Sequence, residues 1–154
     1  MKSYMESIVH SECGSSLIEM AFIMPLLLLI LFGVVDFGRA YYLAIEVAGA
    51  ARAGAVYGSQ YPTDTVGMTN ATKLNAPDVP GISGSPSWGC ECSDGSNQVA
   101  SCSSMPSCST NIVYYVTMRA SAPYTPLFPW PGIPASIPLS NSASMRSGSA
   151  NTPF

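Results

Sequence analysis

From Leu17 to Val35 the chain is apolar, and only Glu19 interrupts the run. About 20 apolar residues, at a rise of ~1.5 Å each, match the thickness of a bilayer's hydrocarbon core. The run therefore predicts a membrane-spanning helix. It is too long for a secretory signal, whose apolar region is ~7–15 residues. The flanks disagree with a signal as well. Lys2 in front is offset by Glu6 and Glu12, and Asp36, Phe37, Gly38 and Arg39 follow where a small-residue cleavage site would stand. Pro25 lies inside the run and is expected to kink the helix or deprive the Ala21 carbonyl of its partner.

Helical character continues beyond the apolar run. Ala40, Ala44, Ala48, Ala51 and Ala55 recur at spacings of three and four, which places them along one helix face. Such a face either packs on the chain's own C-terminal region or lets neighbouring helices approach closely. Asp36 and Arg39 stand at i, i+3 and are expected to form an interface salt pair. Tyr41 and Tyr42 are placed as interfacial anchors. The expected helix runs from Leu17 to Tyr57, with only its first half in lipid. Lys2 before the span and Arg39 and Arg52 after it leave the orientation undecided by charge.

Gly14 is followed by four residues, then Glu19, then the apolar helix. This arrangement resembles the processing site of type IV pilins and their relatives. The resemblance implies cleavage between Gly14 and Ser15 by a membrane-embedded prepilin peptidase, which would make Glu19 the fifth residue of the mature chain. A carboxylate within an apolar run needs a partner. The free amine created at Ser15 of a neighbouring subunit would supply one away from water. The alternative is that Glu19 snorkels to the headgroups.

The run from Ser16 to Arg39 narrows the resemblance. Its Glu19-Met20-Ala21, Pro25, leucine block, Gly33, Asp36 and Gly38-Arg39, followed by Ala50-Ala51-Arg52-Ala53-Gly54-Ala55, look like the start of TadE-like proteins. These are pseudopilins of tight-adherence (Flp/Tad) pilus systems. Met20 stands where the major Flp pilin typically has Tyr, and major pilins are much shorter. Both differences point to a minor pilin or pseudopilin that supports pilus assembly and surface adhesion. The implied location is the bacterial inner membrane, single-pass, with the C-terminal domain periplasmic and a possible place in the extracellular pilus. The implied partners are the membrane, prepilin peptidase, other pilins and the assembly platform.

The remainder reads as a small domain. Thr63 to Ala76 suggests a short helix capped by Thr63 or Asp64, ended by Pro77, Pro80 and Gly81. Ile82 to Cys92 suggests a strand ending at the turn Ser93-Asp94-Gly95, with Gln98 to Cys102 as its return. Asn111 to Ala122 alternates clearly, with large β-branched and aromatic residues on both faces. Ala135 to Met145 suggests a last strand, pairing 136–146 with 112–122 in antiparallel fashion. The proline-studded connection between them offers Phe128 and Trp130 as core plugs. Residues 147–154 read as a frayed tail.

The expected organisation is thus a leader (1–14), a transmembrane and extended helix (15–58), an α+β periplasmic domain (59–146) and a tail (147–154). The fold class is α+β, a long N-terminal helix followed by a small antiparallel β domain with disulfides.

Cys13 would leave with the leader. Cys90, Cys92, Cys102 and Cys108 remain, an even number in a Ser/Gly-rich stretch. In an oxidising compartment they predict two disulfides, with three possible pairings. Their spacing is not that of a zinc ribbon, so no metal is expected. No Lys, Arg or His flanks the Cys90-x-Cys92 pair to lower a thiol pKa, which argues against redox catalysis.

The single histidine, His10, has nothing near it in sequence to orient an imidazole, and no cofactor, small-molecule substrate or enzymatic activity is expected. A net charge of -3 with no basic cluster argues against nucleic acid. The competing expectation is an uncleaved single-pass envelope protein carrying a small β binding module.

Overall fold

The computed structural model describes residues 13–104, 106–129 and 131–149, with the side chains of 13–16 and 149 left aside. The readings placed on His10 and Trp130, and on most of the leader, fall outside those residues. Five elements follow in chain order: α1 (Cys13–Gln60), α2 (Thr65–Asn75), β1 (Ser83–Cys92), β2 (Ile112–Tyr124) and β3 (Ile137–Ser149). The chain divides into two compact units, the first ending at Phe37 and the second beginning at Gly38.

The described part of the first unit is the N-terminal portion of α1. Apolar side chains stand exposed along it, from Phe32 at 40% to Phe22 at 78%. A helix apolar on all sides needs an apolar surrounding. Residues 17–37 would extend over roughly 30 Å, the thickness of a hydrocarbon core. Pro25 sits inside the helix.

In the second unit, the rest of α1 and α2 pack on one face of a three-stranded antiparallel sheet ordered β1-β2-β3. Alternation along β2 decides which side chains meet the helices. Val116, Met118, Ala120, Ala122 and Tyr124 are buried, whereas the intervening Thr117, Arg119, Ser121 and Pro123 point to the other face. One cluster gathers Val47, Ala50, Ala51, Ala76, Val79, Ala120 and Ala122. A second, further along α1, gathers Ala55, Met68, Val116 and Met118.

The small-residue face of α1 is therefore used internally. Its buried residues are Val47, Ala50, Ala51, Gly54, Ala55 and Gly58, while Ala40, Ala44 and Ala48 are only half-buried. The alanine spacing located the stripe but missed its centre, because two glycines carry the closest approach. A Cβ on Gly54 would meet Thr72 Oγ1, with Met118 Cγ at 2.8 Å and the Met68 carbonyl at 3.0 Å.

The expected short helix is present as α2, capped by Asp64, whose side chain accepts from Gly67 N. Ile82–Cys92 and Asn111–Ala122 appear as β1 and β2 within two residues of their expected bounds. β2 and β3 pair as expected, from Tyr124↔Ile137 onward. Two expectations fail. Gln98–Cys102 forms no strand and leaves only an isolated bridge, Cys90↔Val99, because Cys102 is drawn back to Cys90 by a disulfide. Residues 147–149 are strand rather than frayed tail, since the ladder continues to Ser149 beyond a register shift between Val113 and Tyr115, while residues 150–154 lie outside the described residues. Ser149 pairs with Val113 without an apolar signature of its own.

Candidate functional site

Gly14 and Ser15 lie in the first turns of α1, and Glu19 follows one turn later with its side chain exposed. Glu19 is the only charged residue between Leu17 and Val35. The carboxylate thus stands near the start of an apolar helix, where a charge is costly unless it finds a cation or reaches the headgroups. At the other end of the apolar run Asp36 is buried and Arg39 exposed. Tyr41 and Tyr42 are both more than half exposed. The Tyr42 hydroxyl lies 3.4 Å from Asp78 Oδ2. Its pKa is raised, chiefly by the nearby charge of Glu46 and then by that of Asp78.

The four cysteines form two bridges, Cys90–Cys102 and Cys92–Cys108, with Cα separations of 5.2 and 5.6 Å. Strand alternation explains why both bridges leave from one place: residues 90 and 92 project to the same face of β1. Both cysteines of that strand are buried. The bridged loop lies along the edge of β1. Cys90 N and Val99 N each donate to the other residue's carbonyl, at 3.1 and 2.8 Å. An edge strand that would otherwise offer free backbone groups is covered in this way. The expected turn is present, with Gly95 N donating to the Cys92 carbonyl at 2.8 Å and Gly95 at φ +87°.

Between the two cysteines, Glu91 projects to the opposite face of the sheet. It is almost wholly buried, and its carboxylate accepts from Arg146 Nε and Gln98 Nε2. Sequence reasoning passed over this residue. The available signal was its position: in an alternating strand, the residue between two core-facing cysteines must face outward, where an acid needs a partner.

Glu91, Gln98, Tyr115, Thr117, Ser144 and Arg146 line most of an open depression of about 470 Å³. Its Thr117 and Ser144 hydroxyls are 2.7 Å apart. The surrounding outer face is rich in hydroxyls, including Ser85, Ser87, Ser140 and Ser142. Because the charges of Glu91 and Arg146 are spent on each other, the depression is built as a structural lock. Among the described residues, no group of three or more His, Cys, Asp or Glu is placed to hold a metal.

A long apolar helix with one acid near its start, continuing into a disulfide-bearing sheet domain, fits a single-pass membrane protein. Residues 14–56 match the family of TadE-like proteins, so this N-terminal segment is similar to that family. The match begins at Gly14 and ends within the glycine-containing face that packs on the sheet. No curated protein and no solved structure matches the chain.

Proposed function

We propose that this chain is a minor pilin or pseudopilin of a tight-adherence (Flp/Tad) pilus system, a structural, non-enzymatic component that supports assembly and surface adhesion. The observation that carries the reading is the position of Glu19. It is the lone charge near the start of an exposed apolar helix, five residues after a glycine, within a segment that matches the TadE-like family. In this reading prepilin peptidase cuts between Gly14 and Ser15. Glu19 then pairs with the Ser15 amine of a neighbouring subunit, which offsets the cost of each charge in lipid. The partners are other pilins and the assembly platform. The sheet domain lies in the periplasm, whose oxidising conditions suit the two disulfides.

Intact-mass analysis of the chain purified from membranes tests the proposal. A mature N-terminus at Ser15, lost on Gly14→Ala, is the expected result. An N-terminus at Met1 in both forms would overturn the cleavage and favour an uncleaved envelope protein.

A further inference from the structure

The order of packing within the second unit shows which end of the sheet lies where the chain enters it. Leu43 and Val47 of α1 share a cluster with Ala120 and Ala122, while Ala55 and Tyr57 share one with Val116 and Met118. Moving back along α1 toward Gly38 is therefore moving forward along β2 toward Tyr124. The next residues of β2's chain form the connection to β3, which starts from the Tyr124↔Ile137 pair. The loop from Thr125 to Ala135 thus lies at the same end of the second unit as Gly38.

The composition of the loop is unusual for a surface connection. No charged residue occurs between Arg119 and Arg146. Leu127 is 53% exposed and Ile133 48%. Pro126, Pro129, Pro131 and Pro134 each remove a backbone N–H that insertion into lipid would leave without water. Gly132 adopts φ +84° and has open space where a Cβ would stand, as at a projecting turn. Tyr41 and Tyr42, exposed near the start of the same unit, are the residue type that gathers at membrane interfaces.

We propose that the Thr125–Ala135 loop is a second membrane contact, whose apolar tip enters the headgroup layer of the bilayer that α1 spans. This rests on the reading of α1 as a membrane span. The loop carries no cation, so zwitterionic lipid is sufficient and added salt leaves the contact unchanged.

The test uses the full chain with Cys13→Ser and both disulfides intact, reconstituted in phosphatidylcholine vesicles. A nitroxide is attached to one added cysteine at a time, at Leu127→Cys, Ile133→Cys, Leu28→Cys or Thr63→Cys. Collisions with oxygen, which concentrates in lipid, are compared with collisions with a neutral nickel chelate, which stays in water. The expected result is an oxygen preference at Leu127 and Ile133 several-fold above that at Thr63 and below that at Leu28. Water-like behaviour at Leu127 and Ile133 with Leu28 in lipid would overturn this proposal alone. Shielding of both loop labels from both reagents would overturn it in favour of a protein contact. Water-like behaviour at Leu28 would overturn the membrane reading itself and the loop proposal with it.

Discussion

Arg146 on β3 donates through Nε to the buried carboxylate of Glu91 on β1, an ion pair that reaches over the central strand β2. The two partners are not equivalent. Arg146 keeps 54% of its side chain exposed, whereas Glu91 keeps 2%. Removing the arginine takes away the cation that balances this carboxylate and leaves Gln98 as its remaining donor. Removing the acid leaves a guanidinium that can turn to solvent. Arg146→Met is therefore expected to destabilise the domain by about 2–4 kcal/mol, and Glu91→Gln by about half as much. Denaturant unfolding in detergent, followed by circular dichroism, gives the comparison. Equal losses would mean that the arginine contributes no more than packing.

The glycine face of α1 makes a graded prediction. Gly→Ala within a helix normally gains about 1 kcal/mol from propensity. At Gly54 the new methyl would meet the Thr72 hydroxyl and the Met68 carbonyl. Neither can easily yield, because Thr72 Oγ1 is itself bonded to that carbonyl at 3.0 Å. At Gly58 the nearest atom is Met68 Sδ, part of a flexible side chain, with Val116 Cγ1 at 2.9 Å. Gly54→Ala should therefore cost about 1–3 kcal/mol net, and Gly58→Ala less. Gly38→Ala, with open space around it, should be neutral or slightly stabilising. Thermal melts of the three variants in one detergent rank them.

Much of this architecture was legible because it is carried by periodicity. The apolar run, the alternating β2 and the cap at Asp64 each leave a local pattern. The return strand after Gln98 was misread because a disulfide overrides local β tendency. The end of β3 was missed because its last residues, Ser147, Gly148 and Ser149, carry no apolar pattern. The role of Gly54 and Gly58 emerges only when Met68 and Thr72 of α2 are placed against them. Glu91 was invisible for a related reason: its partners Gln98 and Arg146 come from a loop and from a strand 55 residues away. At the candidate assembly site the signal is one of spacing, with Gly14 five residues before Glu19 at the start of the apolar run.

The cysteine pairing is a prediction that needs no mutation. Of the three possible pairings, peptide mapping without reduction should recover Cys90 with Cys102 and Cys92 with Cys108. Each bridge closes a loop of a dozen or more residues, worth roughly 2–4 kcal/mol. Loss of the first, as Cys90→Ala with Cys102→Ala, should also release the Val99 bridge that covers the β1 edge. Faster amide exchange at Val99 and Cys90 than in the parent protein would register that release.

The junction between α1 and α2 sets a pH window. Asp64 accepts from Gly67 N at 2.8 Å and from the Tyr57 hydroxyl at 2.7 Å. The Gly67 amide, then Tyr57, holds the Asp64 pKa below its ordinary 3.8. The bond to Asp64 raises the Tyr57 pKa above its ordinary 10.0. For the depressed acid, the stabilisation is present above the unfolded value and is lost as pH falls through the folded value. For the raised phenol, it is present below the unfolded value and is lost as pH rises through the folded one. The cap should thus be intact from about pH 4 to 10 and weaken on both sides. Tyr57→Phe should remove the alkaline limb and leave the acid limb, because the Gly67 amide remains. Asp64→Asn should remove the acid limb, since an amide oxygen still accepts from Gly67 but does not titrate. Melting temperatures of these variants across that range, read against the parent, decide whether this junction or some other group governs each limb.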